Sequence, residues 1–410
     1  MVSILSFSRQ AFLALALALL VNGLSIPQDA SQDLAARDGK VFKVDFDVVR
    51  GSSRDSLNLT SSNEPHILLT GHSKRDGEPE AKLINEKTYY ATNLLIGSNK
   101  QAVTTLLDTG SSDLWVVSKG ASCQDSTCYS SGVYDKSTST TVKDLGTPFH
   151  IKYMDQTSSS GTWVKDDVSF VGGPSVRQLQ FADVDSTTDR FGVFGIGYDW
   201  HESTDSLYEN LPDLLKNQGV ISTKGYSIYL SQKSAASGTI IFGGIDKAKI
   251  QGSLVKLPVQ SLTDLSVELN SVTIGGNTII TNSAPVLDSG TTLTYLSQDV
   301  VDNVATTLNA TPNPSVGYII DCDQPSDQYV SYNFDGVTIK VPYSELTTPL
   351  HLQNGEVFTG GCGLAIRSTR DTQILGDNFL RSAYVAYNLD ENTISLAQVK
   401  YTTQEDIVPF

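Results

Sequence analysis

Residues 106–112 read LLDTGSS, and residues 286–292 read VLDSGTT. Each stretch contains two apolar residues, an aspartate, a hydroxyl residue, a glycine and two more hydroxyl residues, and the copies lie 180 residues apart. A second similarity follows each copy, because an apolar-apolar-Gly triplet ends 87 residues after Asp108 and another ends 88 residues after Asp288. An isolated Asp-Thr-Gly would be explained by an ordinary β-turn. The repeat at equal spacing instead predicts two copies of one β-lobe, each with one aspartate turn.

The composition fits a folded β protein. The chain has 410 residues, of which 39% are hydrophobic and 18% charged, a mixture that is typical of globular proteins. The formal charge of −16 argues against nucleic acid as a partner, because no excess of lysine or arginine can neutralise phosphates. Abundant Gly, Ser and Thr without helical heptads favour an all-β fold.

The N-terminal part has the pattern of an exported precursor. Residues 11–21 are an apolar run that is too short to span a bilayer but fits the core of a secretory signal peptide, predicted at 1–23; a buried helix is the alternative. Residues 24–75 are more polar and end in Lys74-Arg75, so we expect a propeptide that a dibasic-specific processing protease removes. A solvated pair of charges would explain the same two residues. No apolar run elsewhere in the sequence reaches the length of about 18 residues that a membrane-spanning helix needs either.

Export predicts an oxidising environment for the four cysteines. Four cysteines allow three pairings, and we expect Cys123–Cys128 and Cys322–Cys362, because each pair then stays within one half of the chain. A metal site formed by all four is the alternative, although the first two lack the usual zinc-knuckle spacing. Candidate glycosylation sequons begin at Asn58 and Asn309.

Several stretches give the sequence a specific resemblance to one family. The pepsin-family aspartic endopeptidases, and among them the secreted aspartic proteases of yeasts (candidapepsins), resemble it in LLDTGSSDLWVV (106–117), DVDSTTD (183–189), IIFGGID (240–246), VLDSGTTLTYL (286–296) and ILGDNFLRSAYVAYNLDENTISLAQV (374–399). The resemblance covers residues 76–410. It implies a bilobal, all-β, pepsin-like acid protease fold with related lobes at 76–255 and 256–410, joined by a six-stranded base sheet, and an active site in the cleft between them.

The resemblance also assigns the chemistry. Asp108 and Asp288 would share one proton, because two like charges a few ångström apart do not both ionise easily. The ionised carboxylate would activate a water, and the protonated one would hydrogen-bond the scissile carbonyl; the aspartic-protease dyad is the standard example of this arrangement. No metal and no cofactor are required. The supporting residues implied by the family are Thr109 and Ser289 as cross-links between the two turns, Ser111 and Thr291 as donors to the outer carboxylate oxygens, and Gly110 and Gly290 as turn residues.

Residues 149–162, FHIKYMDQTSSSGT, resemble the family's flap, a hairpin that closes over the substrate. Tyr153 takes the position near the tip, and Trp115 would hydrogen-bond its hydroxyl; for Trp115 a purely buried aromatic is the alternative. The family's usual Tyr-Gly-Asp/Thr-Gly is here Tyr-Met-Asp-Gln, with Asp155 retained and Met154 and Gln156 in place of glycines. We expect a stiffer tip and a narrower substrate preference or slower turnover.

The sequence therefore predicts a secreted, extracellular, monomeric aspartic endopeptidase that is made as a zymogen and cleaves extended polypeptides at acidic pH. Residues 37–54 hold five cations, so we hypothesise that this segment lies in the acidic cleft and blocks the aspartates until acid loosens it. Two alternatives stay open: a pepsin-fold protein that binds peptides without cleaving them, and a two-carboxylate glycoside hydrolase.

Overall fold

Short apolar stretches that alternate with glycine-rich and polar turns make this chain fold mainly into strands. The computed structural model describes residues 40–51, 84–85, 87–123, 126–154, 156–204, 206–352 and 356–410, which belong to one compact unit. The predicted signal peptide, the sequon at Asn58, the dibasic site Lys74-Arg75 and the flap residue Asp155 lie outside these residues.

The first group of strands runs from the N-terminal segment to the middle of the chain. These strands are β1 (Phe42–Gly51), β2 (Ile84–Asn85), β3 (Lys87–Ile96), β4 (Gln101–Asp108), β5 (Leu114–Cys123), β6 (Lys143–Lys152), β7 (Ser158–Phe170), β8 (Ser175–Thr187), β9 (Gly192–Gly195), β10 (Gly225–Tyr229), β11 (Ser237–Phe242), β12 (Gly244–Asp246) and β13 (Ile250–Pro258). The predicted boundary between the lobes, at residues 255–256, falls inside β13.

The second group is made of shorter strands. These are β14 (Leu269–Ile274), β15 (Asn277–Ser283), β16 (Val286–Leu287), β17 (Thr294–Leu296), β18 (Thr311–Asn313), β19 (Gly317–Ile320), β20 (Tyr329–Phe334), β21 (Val337–Pro342), β22 (Thr347–Thr348), β23 (Leu350–His351), β24 (Cys362–Leu364), β25 (Ile366–Ser368), β26 (Ile374–Leu375), β27 (Ala383–Asn388), β28 (Thr393–Val399) and β29 (Ile407–Pro409). The α-helices of the described residues are α1 (Leu211–Asn217), α2 (Gln298–Thr307) and α3 (Asp377–Leu380). None of them is long and apolar enough to cross a membrane.

The two lobes repeat one topology. In the first, strands lie in the order β4-β9-β5-β8, with β4 parallel to β9, β9 antiparallel to β5, and β5 parallel to β8. In the second, β16-β26-β17-β25 follow the same order with the same directions. The apolar-apolar-Gly triplet of each repeat forms the strand that pairs with the aspartate-bearing strand. The predicted bilobal all-β fold is therefore confirmed, and the sequence repeat is a structural one.

The largest sheet of the described residues passes through both lobes. Its 13 strands lie in the order β13-β28-β27-β10-β11-β1-β3-β4-β9-β5-β8-β7-β6, so it is larger than the six-stranded base implied by the resemblance. Buried side chains from both lobes, including Leu107, Phe194, Leu287 and Leu375, pack in one apolar cluster. The strands that lead to the two aspartates are therefore fixed to the same core.

The position of β1 corrects one hypothesis. Residues 42–51 do not lie in the cleft but form a strand inside the large sheet, with Phe46 opposite Gly238 on β11 and Val48 opposite Tyr90 on β3. Lys43 pairs with Glu405 at 2.6 Å, on the C-terminal segment. Arg50 donates to the carbonyl oxygen of Ala235 at 2.9 Å. Lys43 and Arg50 therefore link this strand to the C-terminal segment and to the residues just before β11.

Both expected disulfides form. Cys123 is bonded to Cys128 and Cys322 to Cys362, and no cysteine of the described residues is free. Asn309, the second sequon, is exposed just after α2 with a φ of 52°. That sequon is therefore accessible to a glycan.

Candidate active site

The two aspartates stand at the ends of equivalent buried strands. Asp108 is the last residue of β4, where it lies opposite Gly195 of the parallel strand β9. Asp288 follows β16, whose last residue Leu287 lies opposite Leu375 of β26. Because the repeated topology places both strands at the centre of the fold, the two carboxyl groups are brought together from positions 180 residues apart.

The carboxyl groups of Asp108 and Asp288 face each other across the two glycine turns, and the two residues are only 8% and 7% exposed. The glycine of each turn makes this approach possible. A Cβ atom on Gly110 would lie 2.6 Å from Cγ of Asp288, and one on Gly290 would lie 2.5 Å from Oδ1 of Asp108. Any larger residue at either position would push the opposite carboxyl group away.

Each aspartate has the same pair of hydrogen-bond donors. Gly110 N–H donates to Oδ1 of Asp108 at 2.8 Å, and the hydroxyl of Ser111 donates to Oδ2 at 2.5 Å. Asp288 accepts the matching bonds from the N–H of Gly290 at 2.7 Å and from the hydroxyl of Thr291 at 2.6 Å. These four donors fix the planes of the carboxyl groups and stabilise their ionised forms.

Thr109 and Ser289 cross-link the two turns symmetrically. The hydroxyl of Thr109 donates to the carbonyl oxygen of Leu287 at 2.8 Å and accepts from the N–H of Ser289 at 2.9 Å. The hydroxyl of Ser289 donates to the carbonyl oxygen of Leu107 at 3.1 Å and accepts from the N–H of Thr109 at 3.1 Å. All four groups are buried, so breaking this network would leave polar atoms unsatisfied.

Burial and the neighbouring charge decide the proton balance of the pair. Burial, and after it the charge of Asp108, raises the pKa of Asp288 above its ordinary value, and the hydroxyl of Thr291 opposes this shift. A raised pKa keeps one proton on the pair over a wide pH range. The site therefore contains both a proton acceptor and a proton donor.

A hairpin formed by β6 and β7 lies beside this centre. The indole N–H of Trp115 donates to the hydroxyl of Tyr153 at 2.8 Å, and Trp115 is fully buried. At the tip, the N–H of Gln156 donates to the carbonyl oxygen of Tyr153 at 3.0 Å, and Gln156 has a φ of 72°. This left-handed conformation favours glycine, so Gln156 is strained there. Met154 is 60% exposed.

Sequence reasoning missed a buried carboxyl group near the pair. Asp377, the first residue of α3, is completely buried, and the charge of Asp288 acts on its carboxyl group. Burial raises its pKa well above the ordinary value, although Arg381 opposes this shift. Arg381 itself is held by Glu345 at 2.8 Å. The signal that could have found Asp377 is its place directly after the second apolar-apolar-Gly triplet, where a charged residue follows a buried strand.

The sequence also matches a known protein family. Residues 89–399 match the family described as eukaryotic aspartyl protease, and this region includes both aspartate turns. The chain belongs to the eukaryotic aspartyl protease family. It is thus an aspartic endopeptidase, a hydrolase that acts on polypeptides.

Relatives of this aspartyl protease are similar along its whole length. Candidapepsin-3 of Candida albicans (strain WO-1) is 43% identical over 98% of the chain and 99% of its own length. Secreted aspartic protease 8 of Candida albicans (strain SC5314 / ATCC MYA-2876) is 44% identical, and candidapepsin of Candida tropicalis 43%, each over 99% of both proteins. The predicted resemblance to the candidapepsins is therefore confirmed.

Proposed function

We propose that this aspartyl protease is secreted as a zymogen and cleaves extracellular proteins at acidic pH, with a water activated between Asp108 and Asp288. The observation that carries the proposal is that the two buried carboxyl groups face each other, each with a backbone and a hydroxyl donor of its own. Such a pair supplies one base and one acid at the same point.

In the proposed reaction the ionised carboxylate takes a proton from water while the oxygen attacks the scissile carbonyl carbon. The protonated carboxyl group hydrogen-bonds the carbonyl oxygen and stabilises the developing charge. The proton taken from water then passes to the leaving amine. No covalent intermediate between enzyme and substrate forms in this scheme. Tyr153, held by Trp115, would position the flap over a substrate bound as an extended strand.

We propose that activation begins with cleavage after Lys74-Arg75 by a dibasic-specific processing protease, which leaves a monomer that starts at Asp76. The β1 strand supports a zymogen, because residues 42–51 precede the proposed cut and yet belong to the large sheet of the enzyme body. Export is supported by the names of relatives, which are described as secreted. The test is Lys74→Ala/Arg75→Ala: a precursor that does not mature at acid pH would exclude self-activation.

The alternative function is peptide binding by this fold without cleavage, and the strained flap tip is the observation that favours it. Digestion of a denatured protein at pH 3–5 separates the two functions. We expect cleavage that a transition-state peptide mimic inhibits and that Asp108→Asn or Asp288→Asn abolishes. The control is Asp323→Asn, at an exposed position far along the chain, which should keep full activity. Binding of the mimic without any cleavage would overturn the proposal.

A further inference from the structure

The segment 198–204 supports the turn that carries Asp108. It follows β9 and leads towards α1. Just before this segment, the N–H of Gly197 donates to the carbonyl oxygen of Ser111 at 2.8 Å, and within it the carbonyl oxygen of Tyr198 accepts from the hydroxyl of Ser112. The conformation of this segment is therefore tied directly to the conformation of the catalytic turn.

Two buried acids anchor the segment. Asp113, at 1% exposure, accepts from the N–H of Ser203 at 2.8 Å and from the hydroxyl of Tyr208 at 2.7 Å. Glu202 is buried as well, and its Oε2 accepts from the N–H of Tyr208 at 2.9 Å. Its Oε1 is buried and has no hydrogen-bond partner among the described residues. A neutral acid costs less in such a place than an ionised carboxylate with one bare oxygen.

Three acidic residues act on the Glu202 carboxyl group. They are Asp113 just before β5, Asp199 on the same segment and Asp213 on α1. Lys224 pairs with Asp213 at 2.9 Å.

His201 lies on the same segment, but it pairs with Asp264 at 3.4 Å. Its charge lowers the pKa of the Asp113 carboxyl group. Burial first, and the surrounding acids after it, raise the pKa of Glu202 to about 9, and burial also raises the pKa of Asp113.

We infer that Glu202 holds the segment 198–204 in place as a neutral carboxylic acid, and that its loss of a proton unseats the catalytic turn and sets an upper pH limit for the folded enzyme. The direction follows from proton linkage. The folded chain keeps a proton on Glu202 at pH values where the unfolded chain has lost it, so stability falls as pH rises from the ordinary glutamic acid range towards the folded pKa. For one proton, the ratio of folded to unfolded chain falls by up to about tenfold per pH unit.

The upper pH limit set by Glu202 is separate from protonation of Asp108 and Asp288. The expected effect of Glu202 on activity rests on the proposed function, but its expected effect on stability does not. The stability test therefore uses the full chain carrying Asp288→Asn, which is not expected to digest itself. Urea unfolding, followed by tryptophan fluorescence, is measured between pH 4 and pH 8 for this parent, for Glu202→Gln and for the control Glu209→Gln. Glu209 lies near the same segment but is exposed.

We expect the parent and the Glu209→Gln control to lose stability together as pH rises. Glu202→Gln should match the parent at pH 4 and exceed it at pH 7–8, because the amide imitates the neutral acid and does not titrate. If Glu202→Gln falls with pH as steeply as the parent, the inference is wrong. Should that variant fail to fold, Asp113→Asn gives the same test, since removal of the neighbouring acid must flatten the pH dependence. An unchanged slope in Asp113→Asn would overturn the inference equally.

The activity test uses the chain with both catalytic aspartates. After incubation at increasing pH and return to pH 4, Glu202→Gln should survive to a pH about one unit higher than the wild type. A flattened stability profile without any proteolysis in either chain would contradict the proposed function but leave this inference standing. If both chains cleave protein but Glu202→Gln survives to no higher pH than the wild type, the proposed function stands and this inference is wrong.

Discussion

Two glycines, which have no side chain, allow the carboxyl groups of Asp108 and Asp288 to approach each other. At Gly110 and Gly290 a Cβ atom would lie inside the opposite carboxyl group, at 2.6 and 2.5 Å from its nearest atom. Beside these glycines, the hydroxyls of Thr109 and Ser289 each have a defined partner in the other lobe. Single atoms therefore determine the geometry of the site, so the effect of a substitution follows from the contact that it adds or removes.

Thr109→Val removes one hydroxyl from the cross-link and keeps the shape of the side chain. The N–H of Ser289 would lose its buried partner, which costs about 1–3 kcal/mol, whereas the carbonyl oxygen of Leu287 would keep the hydroxyl of Tyr387 at 3.2 Å. We expect a lower urea midpoint and a lower kcat, because the two turns are no longer held in register. Thr109→Ser keeps the hydroxyl and serves as the control. Full stability and full kcat in Thr109→Val would show that the cross-link is dispensable.

The flap tip offers a second test at the residue scale. Gln156 has a φ of 72°, where a side chain costs about 1–2 kcal/mol, and Met154 is exposed beside it. Met154→Gly/Gln156→Gly should relieve this strain and open the tip, so we expect faster turnover and a broader peptide preference. The measurement is kcat/KM over a peptide library, with each single variant alongside. An unchanged preference and rate would mean that the two side chains do not affect specificity.

At the scale of elements, the repeated motif was enough to predict the paired lobes. Local sequence fixes a strand end followed by an Asp-Gly turn, and the equal spacing to each apolar-apolar-Gly triplet reports the parallel partner strand. The strand β1 was misread, although residues 42–47 alternate apolar and charged side chains, which is the pattern of a half-buried strand. The charges of β1 suggested a place in the acidic cleft, because a sequence does not report which distant strands pair with it. For Asp377, the charged residue after the second apolar-apolar-Gly triplet was a signal, but the sequence does not report how deeply α3 is buried.

Phe46→Ala tests the role of β1 in the unprocessed chain. Phe46 is 2% exposed and packs edge-on against Tyr90 with ring centroids 5.3 Å apart. Its loss should lower the free energy of unfolding by about 3–5 kcal/mol. Asp45→Ala, at the neighbouring exposed position, is the control and should change little. Urea unfolding gives both values, and an unaffected Phe46→Ala chain would mean that β1 adds nothing to the stability of the precursor.

At the scale of the whole molecule, one apolar cluster spans both lobes, and each lobe contains one disulfide. The bonds close loops of very different length, because Cys322 and Cys362 are 40 positions apart in the sequence but Cys123 and Cys128 only 5. In the chain-entropy picture, replacing Cys322 and Cys362 by alanine should cost about 4 kcal/mol, and replacing Cys123 and Cys128 about 2 kcal/mol. Thermal unfolding of the two double variants gives the order, and an equal or reversed loss would contradict it.

The place of β1 in the middle of the large sheet also bears on how the protein is made. Phe42 lies opposite Phe242, which the ribosome adds 200 residues later. During synthesis the edge of β3 that β1 covers is available early, whereas the opposite edge of β1 waits for β11. Such pairing between distant parts of a chain is slow, and an open strand edge binds other chains readily. Until residues 237–242 have been synthesised, the nascent chain therefore leaves one edge of β1 open to pairing with other chains.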